Sequence, residues 1–520
     1  MLPEEGVRPV APAWMPPRFR EWLSARWRLE GYARALPLVP GRVLRSPSVA
    51  SPGESGTPGR RWLVLCTLAA LPSIMAVLHL GRVHPDEVYQ VLEPAWYRAH
   101  GYGVLAWEWK EGIRNWAIPG LFSWLLRLCS ALGIDHPLGY RTVLEVPQYA
   151  LHLAALAAVE RWSRRTLPVR EAWLATALVA LYRPVLDYAG RTLSEAFSAA
   201  FLVLAFERLA ASGSEESPAR RFRRGAVAGA LLGLAVVSRY GSMVFVLATL
   251  GWVLWRRDWR VLGGWVAGGA VVASGLAVLD WLTWGTPLHS LWAYTQFNLF
   301  SGKASEWFGS EPADFYVPIW LKVLPLWSWL GLWGVLRRHR SALPFLGCSV
   351  LYLLAISATA HKEERFLYPA VVLWAVGTAP ATVQLLASLR SLQARTAAAL
   401  GALVLSVVIL QRIDPPKKRE HFQAIVRAAR SPEARGLLIL NEVPNESVWG
   451  AGGYFYIGRD IPWLTADRPE DDNFQAAMRD PTYNRVVTFR RLAVPELERH
   501  GFSVVERIGR ATVLARDTGG

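Results

Sequence analysis

Lysine is scarce in this chain. The basic residues at positions 110, 303, 322, 362, 417 and 418 are lysine, and every other one of the 57 is arginine. Together with abundant Ala, Gly and Leu, this is the usage expected of a GC-rich, bacterial genome. Cysteine is equally sparse: Cys66, Cys129 and Cys348 all lie in or beside apolar segments. No pair has metal-site spacing, which excludes a disulfide framework and a cysteine zinc site. Charged residues make up only 19% of the chain, against about 25% in soluble domains. No glycine-rich loop joins a strand to a helix. The GAGG at 450–453 precedes an extended run and reads as a turn, so a nucleotide-phosphate loop is not expected. No nucleic-acid-binding motif is present. No cleavable signal peptide is expected either, because residues 1–60 are polar and arginine-rich, too long a stretch for a signal n-region.

What is present is apolar length. The chain is 52% hydrophobic, with a mean hydropathy of +0.20. Its long runs are of the kind that cross a bilayer. A net charge of +16 would suggest nucleic acid in a soluble protein. Here the arginines sit at the ends of apolar runs, where they read as topology signals facing anionic lipid. Spans are expected at about 62–80, 138–160, 170–186, 193–210, 225–238, 241–255, 261–281, 317–336, 342–360, 367–388 and 396–412. The arginine clusters 161–165, 220–224, 255–260, 337–340 and 388–395 then all lie inside, and the loops 81–116, 282–316 and 361–366 outside. Residues 117–134 carry Pro119 and Arg127, are marginal in length, and read as an interfacial helix on the outer side.

The fold class expected is therefore an all-α polytopic membrane protein of about eleven spans with interfacial helices in its first outer loop, plus a small C-terminal α/β domain. Residues 1–61 form a basic cytoplasmic tail, with a short interfacial helix expected around 18–36. Residues 62–412 form the membrane body, and residues 413–520 an extracytoplasmic domain. In the last, strands are expected at 436–440, 454–458, 485–489, 502–508 and 511–515, and helices at 418–430, 471–479 and 494–500.

A charge at membrane depth costs about 2.5–3.5 kcal/mol on insertion scales, so clusters of charge carry information. HPDE (84–87), DYAGRTLSE (187–195), SRY (238–240) and HKEERF (361–366) all fall at outer ends of spans and can meet in one cavity. Transfer of a sugar from a lipid phosphate needs a base for the acceptor hydroxyl and cations for the leaving phosphate. Asp86 suits the base, and His361, Lys362, Arg365 and Arg191 suit the phosphate, which Arg grips bidentately and Lys as a point charge. His84, Glu93, Trp107, Glu108, Arg114, Glu364 and Arg239 are the candidates to face substrate. Each group also has a plainer reading. HPDE reads as a solvated loop in which Pro85 starts a helix. HKEERF reads as an ion pair at a helix start, and Arg191 as the i,i+4 partner of Glu195. His84, Asp86 and Glu87 lack zinc-site spacing, so neither metal nor cofactor is expected. A transporter or flippase of lipid-linked glycans is the alternative from another class, although the inverted repeats common in transporters are not visible.

The pattern HPDE…Q…E…GYG…WEW…IR…P (84–119), RTLSE (191–195) and HKEERFLYP (361–369) resembles glycosyltransferase family 22, over roughly residues 62–412. That family includes the enzyme adding the third mannose of the GPI anchor. The resemblance implies a GT-C fold and an inverting mannosyl transfer from dolichyl- or polyprenyl-phosphate mannose. It implies Asp86 as the base, Glu87 as its neighbour in the site, and HKEERF near the lipid phosphate. The implied partners are a polyprenyl-phosphate-linked sugar donor, a glycan or glycolipid acceptor and the lipid bilayer, with no nucleic acid. A bacterial member would lie in the inner membrane with its active site facing the periplasm. The sequence departs from the family in two places. Glu195 stands where an Asn is usual after RTLS, and Ser238-Arg239-Tyr240 stands where Arg-Pro-Thr is frequent.

Overall fold

The computed structural model describes residues 58–80, 84–211, 216–388, 396, 400–401, 419–440 and 451–516. The expected helix at 18–36 and most of the expected span 396–412 lie outside these residues. The described residues from 61 onward form one compact unit.

Apolar helices run over Pro58–His79, Pro137–Ser163, Val169–Ala180, Ser194–Ala210, Pro218–Ser238, Met243–Trp255, Trp259–Trp284, Leu343–Ser357 and Tyr368–Ala387, each on an expected span. By length and composition alone, 5 of the described helices can cross a membrane, or 6 with a broken one counted. The shortfall has local causes. The apolar stretch at 170–186 is cut after Ala180, and Pro184 opens a new turn, Arg183–Tyr188. The stretch at 317–336 is split into Tyr316–Val323 and Leu326–Arg337, bent by 92°. Pro325 stands at the break, and proline disfavours a helical residue before it. Residues 117–134 hold the short helix Ala117–Ala131.

Small residues set the tightest helix contact. Gly225 and Gly229 on one helix meet Gly264 and Gly268 on Trp259–Trp284 with the backbones touching. A Cβ on Gly229 would strike the Trp265 carbonyl, and one on Gly268 the Ala226 carbonyl. This is the close approach that small-xxx-small pairs permit without a hydrophobic driving force. Tyr368–Ala387 is the most enclosed of the long helices, with 83% of its apolar window buried. HKEERF therefore sits at the head of the central element. At the opposite end the buried Glu160 and Glu207 bind Arg61 (2.7 Å) and Arg165 (2.6 Å). The arginines there hold buried carboxylates.

The C-terminal portion is α/β. Strands β1 (Leu437–Leu440), β2 (Trp463–Ala466), β3 (Arg485–Thr488), β4 (Ser503–Ile508) and β5 (Ala511–Ala515) form one sheet in the order β2-β1-β3-β5-β4. β1 runs parallel to β2 and β3, and β5 antiparallel to β3 and β4. β2 was not expected. The expected strand at 454–458 is instead the helical turn Gly453–Ile457. Gly452 and Gly453 enter it at φ +82° and +68°, and the Glu93 carboxylate accepts from its first amides. Phe422, Ile425, Phe455 and Ile457 share one apolar cluster with Tyr89, Trp96 and Tyr140, so this portion and the first loop have a common core.

Candidate active site

The site begins at a turn. The Pro85 carbonyl accepts from the amides of Val88 and Tyr89, and the chain then runs as a π-helical stretch, Glu87–Leu92. Such stretches are rare and concentrate at functional sites. Asp86 stands at the N-cap, yet its side chain makes no capping bond. Its carboxylate is therefore available to face outward. Gln90, one turn on, donates to Asp86 and also to Glu108 (3.3 Å).

Three distant segments converge on that carboxylate. Arg365 Nη2 donates to Asp86 Oδ2 at 2.6 Å. Arg365 also holds Glu363 at 2.6 Å and lies 3.6 Å from Glu195. Glu195 binds Arg239 at 2.7 Å. His84 bridges Asp86 and Glu363, at 3.2 Å to each. Arg114 is paired with Glu108. Asp86, Glu108, Glu195 and Glu363 thus face Arg114, Arg239 and Arg365 in one interlocked network. Asp86, Arg365, Glu363, Glu108, Arg114 and Arg239 line a single cavity of about 1250 Å³. One wall of it is aliphatic (Val244, Leu247, Leu288, Leu291, Ile356), and another is aromatic, with Trp107, Trp307 and Phe308.

Burial alone would raise the Asp86 pKa. The charge of Arg365, the bond and charge from His84 and the charge of Arg114 together outweigh it, and the carboxyl is held well below the usual range. Burial also acts upward on Glu363, but bonds from His361 and Arg365 bring it down to about 2. Glu108 goes the other way: burial, with the Asp86 charge beside it, raises it despite Arg114. Neighbouring carboxyls are thus driven apart, a pattern typical of acid–base sites.

Of the residues expected at the site, the cavity gathers His84, Asp86, Trp107, Glu108, Arg114, Arg239, His361 and Arg365. Others lie elsewhere. Glu87 is buried behind Asp86, where it meets Arg191 (3.7 Å). The Lys362 ammonium is held by the backbone carbonyls of Glu311 (2.7 Å) and Thr359. Glu364 is exposed and outside the cavity. Glu93 is buried against backbone amides. Sequence reasoning missed Glu363 and Gln90 as site residues. Glu363 alternates with Glu364 in HKEERF, and only the backbone direction there decides which one turns inward. Gln90 is four residues after Asp86, a helical spacing that was a usable signal. Among the described residues, no group of three His, Cys, Asp or Glu side chains is arranged to hold a metal ion.

A polytopic helical bundle whose charged loops close over a half-aliphatic cavity defines a GT-C-fold membrane protein. The fold matches the structure of ArnT from Cupriavidus metallidurans bound to undecaprenyl phosphate, with a TM-score of 0.57 at 15% identity over 88% of this chain and 98% of that one. The chain belongs to the Alg9-like mannosyltransferase family, whose profile matches residues 62–415. It is 29% identical to GPI mannosyltransferase 3 of Yarrowia lipolytica over 346 residues, which cover 63% of each chain. It is 27% identical to GPI alpha-1,2-mannosyltransferase 3 of Danio rerio over 331 residues, 62% of this chain and 58% of that one. The matches thus span less than two thirds of the length of these relatives.

Proposed function

We propose that the protein is an inverting membrane mannosyltransferase. It moves mannose from a polyprenyl-phosphate-linked donor to a lipid-linked or surface glycan. The observation that carries this reading is the meeting of Asp86 and Arg365 at 2.6 Å on the wall of one cavity that also has an aliphatic side. A base and a leaving-group clamp must flank one reacting centre, and a polyprenyl chain needs an apolar wall. The acceptor hydroxyl oxygen attacks C1, the bond from C1 to the phosphate oxygen breaks, and the phosphate leaves with the electron pair. The hydroxyl proton passes to Asp86, while Arg365 and Arg239 take the phosphate charge. An aspartate bound to arginine is a weak base. A donor phosphate that draws Arg365 toward itself loosens that grip, so Asp86 gains basicity when the donor is in place.

The reading includes sidedness. The helices starting at Pro218 and Met243 and the helix ending at Trp284 each have one end at the cavity and the other at an arginine cluster, 220–224 or 255–260. The positive-inside rule supports a cavity on the extracytoplasmic side, the periplasmic face of an inner membrane in a bacterium. The test supplies the purified chain in lipid nanodiscs with polyprenyl-phosphate [14C]mannose and mannose-bearing glycolipids. Labelled glycolipid of inverted anomeric configuration is expected. Absence of transfer to every acceptor tried, together with vectorial movement of lipid-linked glycan in sealed vesicles, would overturn the reading in favour of a flippase.

A further inference from the structure

The Glu93 side chain is fully buried and has no access to the cavity. Its Oε1 accepts from the amides of Val104 (2.9 Å) and Tyr454 (3.0 Å), and its Oε2 from the amide of Phe455 (2.8 Å). One carboxylate therefore ties three pieces of chain. The first is its own helix, Glu93–His100, which continues directly from the π-helical stretch that follows Asp86. The second is the irregular return segment of the loop at Val104, which leads to Glu108. The third is the Gly453–Ile457 turn of the C-terminal portion.

The local sequence is built for this contact. Gly101 ends the Glu93 helix at φ +86°, and Gly103 follows at φ +155°. A Cβ on Gly103 would lie 3.0 Å from the Tyr97 Cβ and 3.4 Å from Glu93 Oε1. On the other side, a Cβ on Gly453 would collide with the carboxylate itself. Surrounding groups reinforce the joint. The Tyr140 hydroxyl donates to the Phe455 carbonyl, Trp96 packs edge-on against Phe455, and Tyr102 packs edge-on against Tyr454.

We propose that Glu93 is a positioning residue whose carboxylate fastens the C-terminal α/β portion to the two arms of the loop that present Asp86 and Glu108. The C-terminal portion is then a working part of the catalytic assembly rather than an appended module. This inference rests on the transferase reading for its effect on rate, but the fastening itself can be measured without it.

The test uses the full chain in nanodiscs and compares wild type with Glu93→Gln, Glu93→Ala and Gly453→Ala. Amide hydrogen exchange reports the joint directly. Exchange at Val104, Tyr454 and Phe455 is expected to quicken at least about 10-fold in Glu93→Ala. Gln keeps a carbonyl oxygen where Oε1 sits but places an NH2 against the Phe455 amide, so it is expected to fall between Glu and Ala. In the transferase assay kcat falls about 10- to 100-fold in Glu93→Ala, the scale of a misplacement of about 1 Å, with the donor KM within about twofold of wild type. Gly453→Ala reproduces the defect from the other side. Its combination with Glu93→Ala is no worse than either alone, as expected for two halves of one contact. Unchanged exchange in Glu93→Ala overturns the fastening. Quickened exchange with unchanged kcat overturns the positioning role, and a raised donor or acceptor KM at constant kcat assigns Glu93 to substrate contact instead. A wild-type chain with no transferase activity sinks the functional reading while leaving the exchange result standing.

Discussion

Asp86→Asn keeps the shape of the side chain and removes its charge. The structure sets two expectations for it. The first concerns stability. Leaving a buried charge without its partner costs about 3–5 kcal/mol, but Arg365 retains Glu363 at 2.6 Å and Glu195 at 3.6 Å. The loss is therefore expected to lie below that range, and the variant folds. The second concerns rate. General-base catalysis contributes about 10²- to 10⁴-fold, or roughly 3–5 kcal/mol of barrier, and that factor should leave kcat. The donor KM should hold or fall, because Arg365 no longer divides itself between Asp86 and the phosphate. The pH profile adds a sign. A base with a depressed pKa works above that pKa and fails as pH falls through it. In the free protein Arg365 holds Asp86 well below the usual carboxylate range. With donor bound, Arg365 turns to the phosphate and the Asp86 pKa rises toward its ordinary value. The acid limb of kcat is thus expected at higher pH than the acid limb of kcat/KM, since the first reports the complex and the second the free enzyme. Steady-state assays in nanodiscs taken down to about pH 3 should show kcat falling as pH approaches the ordinary carboxylate value of about 3.9, while kcat/KM stays level. A kcat for Asp86→Asn within about tenfold of wild type, or coincident acid limbs, refutes the base assignment or its release by the donor.

Two further outcomes are expected. Glu363→Gln should cost about 10- to 100-fold in kcat/KM, the worth of a lost charge-assisted bond, because Glu363 orients Arg365, His84 and His361. Glu364→Gln, one residue on and exposed, should leave kcat/KM within about twofold, and equal effects of the two variants would contradict the geometry. Burial raises the Glu93 pKa from 4.5 to about 7 against the pull of its backbone donors, with Tyr102, Tyr140 and Tyr454 the titratable groups facing it. The folded protein then holds this proton more tightly than the unfolded chain, so its contribution to stability falls as pH rises from 4.5 toward about 7. The span is at most about 3.4 kcal/mol. The difference in melting temperature between wild type and Glu93→Gln should therefore shift in favour of Gln as pH rises through that window, and a difference independent of pH contradicts it.

Much of this was legible because the signals are local. The span positions follow from apolar length, and each expected span from 62 to 388 falls on helix, although 170–186 and 317–336 each fall on two broken pieces. The convergence of HPDE, RTLSE, SRY and HKEERF follows from their shared place at span ends on one side of the bundle. What was not legible depends on contacts across the chain. YFYIG has the β-branched and aromatic composition of a strand, yet a carboxylate 361 residues upstream caps it as a helical turn. Lys362 belongs to a cationic motif, but its ammonium is claimed by the Glu311 and Thr359 carbonyls. Glu93 lies seven residues after Asp86. The intervening π-helical stretch and the demand of three backbone amides turn it away from the cavity.

These misplacements share a cause that also explains the architecture of the site. Acids are the minority charge, 41 against 57 basic residues, and several of the buried ones sit at joints between segments distant in sequence. Glu87 meets Arg191, Glu195 meets Arg239 and Arg365, Glu93 meets Tyr454 and Phe455, and Glu160 meets Arg61. A sequence motif reveals that an acid is present but not whether it faces substrate or staples two segments. Burial decides between them. A carboxylate with no exposure must draw its partners from the protein, so it is committed to structure. A carboxylate with a residual opening to the cavity, as at Asp86 with 20% of its side chain exposed, can exchange a protein partner for a substrate. By that criterion we propose Asp86, Glu108 and Glu363, with side chains 20%, 13% and 25% exposed, as the acids that do chemistry, and Glu93 and Glu195, at 0%, as the ones that hold the frame around them.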